Sequence, residues 1–207
     1  DLSKGANPLR DRKLREMIIA KLGGSKETEQ AVARALGWYA ARQEPDGRWD
    51  SGKNGGMADQ DFAATGFATL CFYGWGERHD RPGEYQECVS KAVEWLANEC
   101  IKRKGNFTIG ISQGMYGQGV ATIALAEAYG ITGDQRLRQP LEMAVGVILK
   151  AQQPDQGGWR YNCTPSDSDT SVLGWQVMAL YSARKAGINV PQEAFDKAAK
   201  WLDNAGT

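Results

Sequence analysis

The residues in this sequence with the most chemistry to offer are carboxylates. Ser166-Asp167-Ser168-Asp169-Thr170-Ser171 carries two of them, and Asp61 stands in a matching setting in the first third of the chain. A carboxylic acid kept protonated by its surroundings can act as a general acid, and carboxylates at one rim can hold a cation. Asp169, Asp167 and Asp61 are therefore the candidate catalytic groups. A structural role competes with the chemical one. Asp169 precedes Thr170-Ser171-Val172 and Asp61 precedes Phe62-Ala63-Ala64, each at the start of a helical pattern where Asp is a strong N-cap. Both roles stay open at this point.

Other reactive types are sparse. The single histidine, His79, lies in the polar loop 76–83 (GERHDRPG) and reads as a surface residue. The four cysteines, Cys71, Cys88, Cys100 and Cys163, form no C-x-x-C pair and read as buried free thiols. A zinc site of Asp, Cys and His is not expected, nor is any other metal or cofactor. Arg160 and Tyr161, after Trp159, are candidates for a polysaccharide groove.

These residues are positioned by a repeat. Gln43-Glu-Pro-Asp-Gly47-Arg-Trp49 has the pattern Q-x-x-x-G-x-W, and Gln153-Pro-Asp-Gln-Gly157-Gly-Trp159 has it again; near the midpoint, Lys104-Gly105-Asn106-Phe107 keeps the glycine and an aromatic. Self-similarity at a fixed period signals tandem supersecondary units, here of about 55 residues. Before each turn the spacing predicts a helix, at 31–43, 89–100 and 141–153, with Trp38, Trp95 and Ile148 in equivalent places. After each turn comes a second helix, near 61–75, 115–129 and 169–186, with Gly66, Gly119 and Gly174 aligned. The units span 26–83, 84–137 and 138–190, a fourth begins at 191–205, and 1–25 forms a leading segment with an amphipathic helix near 10–22. That helix carries Leu14, Ile18 and Leu22 on one face and reads as a docked cap or a membrane-surface element.

The two helices of a unit differ. Val89, Val93, Leu96 and Cys100 recur at three- and four-residue steps, the signature of a half-exposed helix. The stretches 61–75 (DFAATGFATLCFYGW) and 115–129 (MYGQGVATIALAEAY) are apolar or small nearly all round and should be buried. Two layers follow, outer around inner, with the glycines allowing close approach of the inner helices. Ser25 is a good N-cap, Pro140 and Pro191 suit first helical positions, and Gly76, Gly130 and Gly187 read as helix stops. No alternating strand pattern appears, so the fold class is all-α. In Q-x-x-x-G-x-W, Gln43, Gly47, Trp49, Gln153, Gly157 and Trp159 read as structural staples: the amide bonds helix-end or turn backbone, the glycine supplies a positive φ, and the tryptophan packs over the helix end.

Composition narrows the functions. With 207 residues, 42% of them apolar, the chain can build a large core. Lys+Arg and Asp+Glu both number 25, which argues against nucleic acid as a partner. No apolar run is long enough to span a membrane.

The Q-x-x-x-G-x-W segments resemble the QW motifs of squalene and oxidosqualene cyclases. Nearly all of residues 26–205 is similar to the prenyltransferase/squalene-oxidase repeat superfamily of terpenoid cyclase-like proteins, with 115–134 and 169–186 most like uncharacterised bacterial members. The resemblance implies an α/α toroid, here partial, with tandem helix-pair repeats in inner and outer layers. It also implies a terpene cyclase-type or prenyl-transfer activity, but the residues depart from it. Against the cyclases' D-x-D-D-T-A motif, Ser168 stands where the proton-donating Asp belongs and Ser166 falls on the first Asp. The D-x-C zinc ligands of the prenyltransferases and the GCGEQ segment of thioester proteins are missing too.

The expected function is therefore a repeat domain that binds a hydrophobic ligand, such as an isoprenoid, or a protein partner, without catalysis. The alternatives are a squalene/terpene cyclase or prenyl-transfer enzyme, or part of one, and a carbohydrate-active enzyme of toroidal fold. Tyr116, Gln118, Trp175 and Phe62 are the side chains expected to face a ligand. Three pairs are few for a closed ring, so further repeats of a longer chain or a homodimer are expected. The compartment stays open, with an exported or membrane-associated bacterial protein the setting the resemblance suggests.

Overall fold

The structure, a computed structural model, describes residues 12–205. They form α1 (Arg12–Lys21), α2 (Lys26–Ala40), α3 (Asp61–Trp75), α4 (Gln86–Lys102), α5 (Met115–Thr132), α6 (Arg138–Ala151), α7 (Thr170–Lys185) and α8 (Gln192–Ala205), with short 3-10 turns at Gly52–Asn54 and Gln135–Leu137. No strand occurs among the described residues, so the class is all-α.

Side-chain size explains the arrangement. α3, α5 and α7 lie side by side with α5 in the middle, and the amphipathic α4 and α6 pack against one another and against these apolar helices. α5 is the most buried element: from Met115 to Ala126 only Tyr116 has appreciable exposure. The glycines set the spacing. A Cβ on Gly66 would lie 2.9 Å from the Val120 side chain and 3.1 Å from its backbone, and one on Gly119 would lie 3.0 Å from Trp175. Glycine in a helix costs about 1 kcal/mol relative to alanine, and at these two positions close packing offsets it. Gly174 differs, with nothing within 4 Å of an added Cβ. Phe67 of α3 and Trp175 of α7 meet edge to face at 5.4 Å, so the flanking helices touch beside α5.

Helix ends follow local chemistry, with some departures from expectation. Ser25 caps α2 in a reciprocal box with Thr28. α3 stops at Gly76, whose φ is 99°, but Gly130 lies inside α5, which runs on to Gly133. Pro140 is the third residue of α6 rather than the first, still within the turn whose N–H groups lack helical partners.

Residues 1–11 of the leading segment lie outside the described residues. α1 docks through a charge rather than its leucines. Arg15 Nη1 donates to Trp75 O at 2.6 Å, its Nε bonds Glu29 at 3.0 Å, and its guanidinium lies 3.6 Å from the Trp75 ring centroid, while Leu14 and Leu22 stay exposed.

Candidate functional site

The turn between α2 and α3 shows what the Gln–Gly–Trp residues do. Gln43 Nε2 donates to Gly47 O at 2.9 Å and to Cys88 O at 2.8 Å, tying the turn to α4. Trp49 Nε1 donates to Tyr39 O, which fastens the buried indole over the end of α2. Gly47 has a φ of 100°, and its α-carbon sits against the Lys91 backbone, leaving no room for a side chain.

After α6 the same job is done, but by Gln152 rather than Gln153. Gln152 Nε2 donates to Gly157 O at 2.7 Å and to Ala194 O at 2.8 Å, while Gln153 Oε1 accepts from the N–H groups of Asp155 and Gln156 within its own turn. This turn is one residue longer, so counting back from the glycine lands one place late. Matching Pro45-Asp46 to Pro154-Asp155 would have shown it. The same offset displaces Trp38, which is exposed: Tyr39 O and Ile148 O are the carbonyls that receive Trp49 and Trp159 Nε1.

The candidate acids turn out to be occupied. Asp169 caps α7, its Oδ1 accepting from Ser171 N and Val172 N and its Oδ2 from the Tyr161 hydroxyl at 3.2 Å. The Ser171 hydroxyl foremost, then these N–H and O–H donors, hold its pKa below the usual carboxylate range. An acid in that state is ionised at neutral pH and has no proton to donate. Asp167 is exposed, pairing with Arg160 at 3.3 Å and accepting from Ser168 N. Asp61 is not a cap: it is the first residue of α3, and it accepts from Ser51 N at 2.8 Å and Arg48 Nε at 3.0 Å.

The residues expected to face a ligand separate. Gln118 is wholly buried, donating to Gly105 O and Ala144 O and accepting from Phe107 N, so it is a staple and touches no open space. Phe62 is buried against Trp95 and Phe107, with ring centroids 5.1 and 4.9 Å away. Trp175 is half-buried beside Phe67, and the Tyr116 hydroxyl bonds Ser171 Oγ at 2.7 Å.

Two features escaped the sequence. His79 is buried, not a surface residue: Tyr73 Oη lies 2.5 Å from its Nδ1 and Asp134 Oδ2 lies 3.3 Å from its Nε2. One neutral tautomer satisfies both, with the tyrosine hydroxyl donating to Nδ1 and Nε2–H donating to the carboxylate. Burial pushes the imidazole pKa down and outweighs the opposing pull of Asp134. The second feature is an apolar groove of about 430 Å³ between α1, α2 and the C-terminal half of α3. Ile19, Leu22, Val32, Tyr39, Cys71 and Trp75 form its walls, and the Arg15–Glu29 pair borders it. Cys71, expected to be buried, is exposed here; Cys100 is the deeply buried thiol, its pKa pushed up to about 12 by burial.

Among the described residues no group of three or more His, Cys, Asp or Glu side chains is placed as metal ligands would be. No helix there is long and apolar enough to cross a membrane. Comparison with known proteins found no matching family model, no matching curated protein and no matching solved structure.

Proposed function

We propose that this chain is a non-catalytic helical-repeat domain, a partial α/α toroid of the terpenoid cyclase-like kind, that binds an elongated hydrophobic ligand. The observation that carries the reading is the apolar groove between α1, α2 and α3. Its volume of about 430 Å³ falls within the range of small-molecule sites, roughly 300–1,000 Å³, and its walls are mostly aliphatic and aromatic with one ion pair at the border. The repeat arrangement is supported by the recurring turn, in which a left-handed glycine presses on the backbone of the following amphipathic helix at Gly47, Gly105 and Gly157. The absence of catalysis is supported by the state of the acids, since Asp169 is an ionised helix cap.

Cys71 reports on the groove directly. Farnesol, as an apolar chain probe, should slow modification of Cys71 by a thiol reagent, and Val32→Asp, at an exposed groove position, should remove the protection. An unchanged Cys71 rate at saturating farnesol sinks the binding reading. Turnover of squalene or prenyl diphosphates that disappears in Asp169→Asn but not in Asp61→Asn sinks the non-catalytic one.

A further inference from the structure

A second pocket, of about 330 Å³, opens at the opposite end of α3 from the apolar groove, bounded by the α2–α3 connection, α4 and the loop before α5. Its chemistry is different. Asp46, Asp59, Asp61 and Glu99 bring four carboxylates to it, and Arg48 and Arg103 bring two guanidinium groups, leaving a formal charge of −2. The immediate surroundings do not cancel that excess, because Asp50 on Arg48 and Lys102 on Glu99 offset one another. Asp59 is held ionised chiefly by the N–H of Ser112, together with the amide of Gln60.

The wall is aromatic. Trp95 is half-buried, stacked on Phe62 at 5.1 Å and 28°, and borders the opening. Arg103 already shows which group suits this setting: its guanidinium stands 4.8 Å from the Phe62 ring centroid while its Nε bonds Glu99 at 3.0 Å. A planar cation between an aromatic face and a carboxylate is stabilised by both, and guanidinium does this better than ammonium because it is flat and weakly hydrated. A neutral sugar could stack on the indole but would gain nothing from the unbalanced charge, and an anion would be repelled.

We propose that this pocket receives the guanidinium of an arginine side chain from a partner protein, with Trp95 as the stacking surface and Asp59, held by N–H groups rather than by a cation, as the counter-charge, Asp61 and Glu99 being already paired with Arg48 and with Lys102 and Arg103. The site shares α3 with the apolar groove but none of its wall residues, so either can fail without the other.

The test is an NMR titration of the full chain with Nα-acetyl-arginine amide, following the Trp95 indole N–H, identified by its loss in Trp95→Phe. Saturable shifts are expected, weakened by added salt. The isosteric, uncharged citrulline derivative should bind roughly tenfold more weakly, since the cation–aromatic attraction and the charge pairing are both lost. Asp59→Asn keeps an acceptor for Ser112 N–H at a half-buried position and should weaken binding roughly two- to fivefold with the fold unchanged by circular dichroism. Equal binding of the citrulline compound, full affinity in Asp59→Asn, or no shift at tens of millimolar ligand overturns the proposal. Methyl glucoside moving the Trp95 signal in place of the arginine derivative also overturns it, and assigns the pocket to sugar.

Discussion

Gln118 Nε2 donates to Gly105 O at 2.9 Å, and in doing so an amide on α5 replaces the glutamine that the second turn lacks. Gln43 and Gln152 each reach the turn glycine's carbonyl and a carbonyl of the next amphipathic helix; Gln118 does the same from inside, its second acceptor being Ala144 O at 3.2 Å. Its Oε1 also accepts from Phe107 N, where Trp49 N uses the Thr65 hydroxyl in the first turn. Truncation would leave Gly105 O and Phe107 N, both buried, without this partner and would remove the second donor from Ala144 O, which lies within α6. Gln118→Ala should cost roughly 3 kcal/mol, read from urea unfolding midpoints, and a loss below about 1 kcal/mol would count against the staple role.

The shifted register after α6 makes a paired prediction. Gln152→Ala should destabilise by about 1–2 kcal/mol because it releases the Gly157 and Ala194 carbonyls, whereas Gln153→Ala should cost less than about 1 kcal/mol, its amide serving only its own exposed turn. Thermal unfolding of the two variants side by side decides it, and the reverse order would restore Gln153 to the motif.

The helix glycines separate by their surroundings. Gly66→Ala forces a methyl group to 2.9 Å from Val120 and should destabilise by about 1–3 kcal/mol. Gly174→Ala meets nothing and should stabilise α7 by up to about 1 kcal/mol through helix propensity. Opposite signs in one denaturation series are the expected result.

His79 gives stability a dependence on pH. Its folded-state pKa lies below the ordinary value near 6.5, because burial disfavours the charged form. The unfolded chain therefore takes up the proton more readily, so stability is complete above about pH 6.5 and declines as the pH falls below it. Asp134 adds a separate loss at lower pH: Arg136 is the main reason its pKa is lowered to about 2, so its contribution disappears between about pH 4 and 2. Unfolding free energies measured from pH 8 to 5 should slope downward, and His79→Gln should flatten that part of the curve.

Asp169 and Asp61 show why the candidate site was only half legible in the sequence. Both precede an apolar helical run, and pattern alone makes them equivalent. Asp169 has Ser171 and Val172 N–H groups within reach and becomes a cap, whereas Asp61 is drawn to Arg48 and Ser51 N from the preceding connection. The partners that separate them lie 10 and 13 residues away in the second case, beyond what local spacing can register.

The sequence by itself determined the helices, their two characters and the turn between them. Those properties follow from the 3.6-residue period, from side-chain size and from glycine's access to positive φ, all encoded within a few residues. Tertiary structure alone decided that Gln118 replaces an absent turn glutamine, that His79 is buried between Tyr73 and Asp134, and that an apolar groove and a charged aromatic pocket lie at opposite ends of α3. Each depends on which distant backbone or side chain comes to stand beside a residue, and that is set by packing between helices rather than by any short-range pattern.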